Sequence, residues 1–126
     1  MYFPTSLFFA ILTVLSVALS AMIVGVQDPI KIDPQHFKVL FENETVRIIE
    51  VRVEAGGKVP LHSHPSGFAY ALTSFKAKTT LANGTAIVGD YKAGQFVETM
   101  PVTHMEENTG DTLASLLLIE FKTPAK

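Results

Sequence analysis

The chain has 126 residues, room for one domain and not two. Its formal net charge of −2 offers no basic footprint, so nucleic acid is not an expected partner. Cysteine is absent, which rules out disulfides, thiolate metal ligands and a cysteine nucleophile.

Residues 1–27 carry no charged side chain, and Leu7 to Val26 is mostly apolar. As a helix this run would be about 30 Å long, the thickness of a bilayer core. Two readings stay open for residues 1–26: a signal peptide with small residues at Ala18-Leu19-Ser20, or an uncleaved N-terminal membrane anchor. Either predicts a hydrophobic N-terminal helix. The protein is then exported to the periplasm or the extracellular space, or tethered to the membrane through this segment alone.

Residues 27–45 read as an extended lead-in, with Pro29 and Pro34 flanking a short extended piece, Ile30-Lys31-Ile32. His36 stands apart and reads as a surface or packing residue. Phe37, Val39, Leu40 and Phe41 begin the core, and Glu42-Asn43-Glu44 reads as a turn.

From Val46 the pattern is strand after strand, and residues 46–122 are assigned to one β domain. Ile49 to Glu54 alternates apolar and polar, which predicts one buried and one wet face. Further runs are Phe68 to Phe75, Ala77 to Leu81, Ala86 to Val88, Gln95 to Glu98, Val102 to Glu106 and Leu113 to Phe121. Asn83-Gly84 is a hairpin signal, and Gly89-Asp90 and Lys92-Ala93-Gly94 read as turns. Gly56, Gly57, Gly94 and Gly110 are assigned to turns with φ > 0. About eight short strands without a helical period predict an all-β sandwich or barrel.

The chemistry is concentrated in Leu61-His62-Ser63-His64-Pro65. On an extended strand His62 and His64 share a face, because side chains alternate. Neutral imidazoles on one face suit a divalent first-row metal. His104 lies 40 residues beyond His64 and is the third candidate, reachable across a barrel. Glu98, Glu106 and Glu107 are candidates for a further ligand or a general base against the simpler reading of solvated edge charges; Glu106 shares the parity of His104. Phe68 and Tyr70 either pack the core or line a pocket, and Asn108 reads as a turn cap. No Gly-x-Ser-x-Gly elbow and no phosphate-cradling glycine loop is present.

Taken together, Gly56-x5-His62-x-His64 and Gly94-x9-His104-x3-Asn108 resemble the two motifs of the cupin superfamily. The resemblance spans residues 37–121. It is nearest to small, single-domain, often exported bacterial members with the lead-in Asp28-Pro29-Ile30-Lys31-Ile32-Asp33. It implies a double-stranded β-helix, a jelly-roll barrel with the site in its mouth. It implies one divalent transition metal (iron, manganese, zinc, nickel or copper) held by His62, His64 and His104, and a possible homodimer. The sequence departs from the family where a glutamate ligand should fall, at Phe68 or Ala69. It departs again at Met100-Pro101-Val102 and at Ser74-Phe75-Lys76, where motif glycines are missing.

Three functions remain open on this reading. One is a small-molecule metalloenzyme of oxygenase or isomerase type. The second is a non-catalytic module binding a small ligand or a metal. The third is a structural β-barrel that interacts with other proteins. No catalytic residue is assigned.

Overall fold

The computed structural model describes residues 27–122. The apolar run 1–26, read above as signal or anchor, lies outside them. Among the described residues no helix is long and apolar enough to cross a membrane.

One short helix, α1 (Pro29–Ile32), precedes nine strands. These are β1 (Phe37–Glu42), β2 (Val46–Val53), β3 (Lys58–His64), β4 (Gly67–Ala71), β5 (Phe75–Leu81), β6 (Ala86–Tyr91), β7 (Phe96–Thr99), β8 (Val102–Asn108) and β9 (Ala114–Phe121). They form two antiparallel sheets, ordered β1-β2-β9-β4-β7 and β3-β8-β5-β6. From β2 onward every connection except the β5–β6 hairpin changes sheet, so residues far apart in sequence meet across the interior.

The core sits between the sheets. Ile49, Val51 and Val53 alternate inward along β2 and meet Leu118, Leu116 and Ala114 on β9. Phe37 and Val59 complete this cluster from β1 and β3. Each such side chain, fully buried, stabilises the fold by about 1.5–3 kcal/mol before entropy is counted.

Asn108 ties the bottom of the barrel together and does more than cap a turn. Its amide donates to the carbonyls of Val53 (2.9 Å) and Thr112 (2.8 Å), and its Oδ1 accepts from the Gly110 N–H (3.1 Å). One side chain therefore joins β2, β8 and the loop into β9.

Local expectations fail in five places. Ile30-Lys31-Ile32 is helical, because Asp28 caps the turn through a 3.1 Å bond from the Ile30 N–H and Pro29 pre-sets the first helical position. The run Phe68 to Phe75 is two strands, β4 and the start of β5. The chain turns between them with Thr73 Oγ1 donating to the Leu113 carbonyl and accepting the Ser115 N–H. Gly89-Asp90 lies inside β6 rather than in a turn. Of the glycines expected at positive φ, Gly56 and Gly94 adopt it; Gly57 and Gly110 do not. The sheet also begins earlier than the lead-in reading implies, since β1 pairs with β2 from Phe37.

Candidate metal centre

β3 and β8 are antiparallel neighbours, and their register sets His62 directly opposite His104. His64, two residues along β3, falls on the same inward face. The three rings lie 4.6–5.3 Å apart between centroids, and one ligand nitrogen from each lies within 4.8 Å of the others. Phe37 packs on the His62 ring at 5.3 Å and closes the core side. Among the described residues, this is the one group of histidine, cysteine or acidic side chains able to hold a metal ion.

Hydrogen bonds aim the rings. His62 Nδ1 lies 2.7 Å from the Pro60 carbonyl, which only accepts, so Nδ1 carries the proton and Nε2 keeps its lone pair. His64 Nδ1 lies 2.7 Å from Glu120 Oε1, with the same consequence. His104 Nδ1 has Glu106 Oε1 at 3.2 Å. His62 and His64 thus have Nδ1 engaged by hydrogen bonds, which leaves Nε2 of each to bind.

His104 Nε2 is buried and has no hydrogen-bond partner, the only such side-chain atom among the described residues. Leaving a buried polar atom unpaired costs about 1–3 kcal/mol, and native structures rarely do so without reason. A metal ion supplies the missing partner, so the residues present fit one.

Burial lowers the pKa of His62 to about 4, with the charge of His64 adding to it and the Pro60 bond opposing. Burial, with His62 and His64 as neighbours, brings His104 to about 3. Both imidazoles are neutral near pH 7, which is the ligating form. Burial pushes Glu106 up to about 7, against a hydrogen bond from Thr79 Oγ1 at 2.9 Å.

Behind His64 stands a charged chain that the sequence reading missed. Arg47 on β2 lies directly across from Glu120 on β9. Its Nη2 is 2.7 Å from Glu120 Oε2, and its Nη1 is 3.1 Å from Asp28 Oδ2. The Ser63 N–H, between the two strand-β3 histidines, donates to the Gln27 carbonyl at 2.8 Å. The entry segment is therefore pinned to the His62-Ser63-His64 stretch from both sides. A signal was present in the sequence: Glu120 is the lone acid in an apolar strand, in phase with inward Leu116 and Leu118.

The other candidates divide. Glu106 faces inward, whereas Glu98 is an exposed edge charge. Glu107 is half-buried and pairs across to Lys58 and Lys78. Phe68 and Tyr70 both pack against Phe96, and Phe68 also meets Phe121. His36 is not isolated, because Asp33 Oδ2 lies 2.6 Å from its Nδ1 and Glu54 Oε2 lies 3.5 Å from its Nε2. Ala69 borders a chamber of about 410 Å³ that opens beside the histidines.

Two facing antiparallel sheets that exchange strands match the fold of solved structures. A cupin domain from Bordetella pertussis Tohama I superposes with a TM-score of 0.63 at 24% identity, covering 69% of this chain and 92% of that one. The fold is that of a cupin. A conserved double-stranded β-helix protein from Klebsiella pneumoniae subsp. pneumoniae MGH 78578 gives 0.57 at 20% identity, over 71% of this chain and 78% of that chain. An RmlC-like cupin from Methanocaldococcus jannaschii gives 0.55 at 17%, over 68% and 77% respectively. No family model matches the chain, and no curated protein matches it.

Proposed function

We propose that this cupin holds one divalent transition metal through Nε2 of His62, His64 and His104 and presents it to a small molecule in the barrel. The observation that carries the reading is the buried, unpartnered His104 Nε2 facing two other imidazoles whose Nδ1 atoms are already engaged. Bound there, a divalent ion supplies Lewis-acid activation of an oxygen on water or ligand.

The chain's own residues divide the remaining work. Pro60 and Glu120 fix the rings of His62 and His64 from behind. Arg47 holds Glu120 in place. Ala69 contributes only a methyl group to the chamber wall, so a molecule can approach past it. The apolar walls exclude bulk water.

A reaction of oxygenase or isomerase type on the bound molecule is the finer reading, supported by the open approach and by the Glu106 carboxyl beside His104. A binding module without turnover is the alternative, supported by the largely apolar lining of the chamber, Val51, Val53, Leu116 and Leu118 among it. Export, or tethering by residues 1–26, is retained on the uncharged apolar N-terminus alone.

The test is metal content by mass spectrometry on the full chain, purified without chelator or affinity metal, beside a His62→Ala/His104→Ala double variant. The expected result is near-stoichiometric metal in the parent and none in the variant. Equal, trace metal in both after reconstitution would overturn the proposal.

A further inference from the structure

The chamber beside the histidines is shaped by small side chains on both sheets and by stacked rings on the four-stranded one. Ala69 and Ala71 on β4 line it from the five-stranded sheet, and Ala77 on β5 lines it from the four-stranded sheet. Each contributes only a methyl group, and the space exists because larger side chains are absent there. Phe75 and Tyr91 lie further along the same chamber, directly paired across β5 and β6. Their rings stack at 5.0 Å with 24° between planes.

Tyr91 takes its position because Gly89 has no side chain. A Cβ at position 89 would sit 2.5 Å from the ring carbon Cε2 of Tyr91. The ring therefore lies flat along the inner wall over Gly89. This explains a glycine inside β6, where the residue type otherwise weakens a strand.

Size, charge and shape each restrict the ligand. A volume of about 410 Å³ equals that of about fourteen waters, enough for a body of about a dozen non-hydrogen atoms. The ligand group holds three histidines and no carboxylate, so a divalent ion there keeps its charge for the bound molecule, and the fitting head group is anionic. Methyl groups facing stacked rings make a slot that favours a flat apolar body.

We propose that the chamber binds a small aryl monocarboxylate, with its carboxylate at the histidine end and its ring in the slot between Ala69 and Ala71 on one sheet and Phe75, Ala77 and Tyr91 on the other. The head group rests on the metal reading above; the slot does not.

The experiment titrates the full chain, loaded with cobalt(II), with benzoate, acetate and terephthalate, reading the visible bands of the metal. Benzoate is expected to bind about tenfold or more tightly than acetate. Terephthalate is expected to bind more weakly than benzoate, because its second charge meets an apolar wall. Ala77→Leu narrows the slot, and Gly89→Ala drives the Tyr91 ring into it. Both variants should retain one cobalt per chain and lose the preference for benzoate. Equal binding of acetate and benzoate, or an undiminished preference in both variants, would overturn the proposal. If the parent takes up no cobalt, the metal reading fails separately. Benzoate that then raises the melting temperature of the metal-free chain would still support the slot, and no shift would overturn it.

Discussion

Glu120 reaches across the barrel to place Oε1 2.7 Å from Nδ1 of His64, while Arg47 grips its other oxygen at 2.7 Å. Carboxylates behind metal-ligating histidines fix the tautomer and ring orientation, and their loss typically costs 10–100-fold in metal affinity. Glu120→Gln should weaken zinc or cobalt binding by about that factor while the fold survives. Glu120→Ala should in addition leave Arg47 with Asp28 as its remaining carboxylate partner, destabilising the chain by about 2 kcal/mol. Calorimetric metal titration beside urea unfolding checks both, and unchanged metal affinity in Glu120→Gln would detach Glu120 from the centre.

Asp28 gives the fold a definite acid sensitivity. Burial works against its charged form, but hydrogen bonds from Arg47 and the Ile30 N–H, with the charge of Arg47, outweigh it and hold the carboxyl below its ordinary 3.8. A depressed folded pKa means that the stabilisation is complete above the unfolded value and is lost as pH falls through the folded one. Asp28→Asn keeps the helix cap, since asparagine caps as well as aspartate. It removes the negative charge facing Arg47 and replaces Oδ2, the acceptor of the Arg47 Nη1 bond, with an amide that cannot accept. The variant should be less stable than the parent by about 1 kcal/mol at pH 7. The gap should shrink as pH falls below 3.8. Urea midpoints measured from pH 7 to pH 2.5 decide it; a pH-independent gap would refute the electrostatic origin.

Asn108→Ala removes three hydrogen bonds from a buried position and leaves the Val53 and Thr112 carbonyls unpaired. The expected cost is about 3 kcal/mol. Because Asn108 touches none of the histidines, the folded fraction should keep its metal stoichiometry. Loss of metal in folded protein would show a coupling not visible in these contacts.

Gly67 permits a close approach that no other residue allows. A Cβ there would overlap the Ile119 carbonyl oxygen on β9, which is backbone and unable to swing away. Gly67→Ala should force β4 from β9 and give largely insoluble protein, whereas Gly84→Ala, in an open hairpin turn, should cost only about 1 kcal/mol. Soluble yield and thermal melts of the two variants make the comparison.

The histidine constellation was legible because its logic is local. Two residues apart on a strand fixes a shared face, and turn spacing was enough to predict a barrel that returns His104 to them. The helix at Asp28-Pro29 was equally legible as a cap followed by proline, but the flanking prolines suggested an extended piece. The relation of Arg47 to Glu120 was not legible, because it depends on the register of two strands separated by 73 residues. Likewise, Gly89 looked like a turn because sequence patterns do not show an aromatic ring folded back along its own strand.

The pairing of Val46 with Phe121 carries a consequence for biosynthesis. The central strand of the larger sheet is the last of the nine to leave the ribosome, so the barrel cannot close before it emerges. During that interval His62, His64 and His104 are already emerged, but Glu120, which orients His64, is not. Premature termination before β9 would therefore yield a nascent chain bearing all three imidazoles without the wall that arranges them. Such a chain would compete for metal loosely and expose its apolar strands to chaperones and proteases.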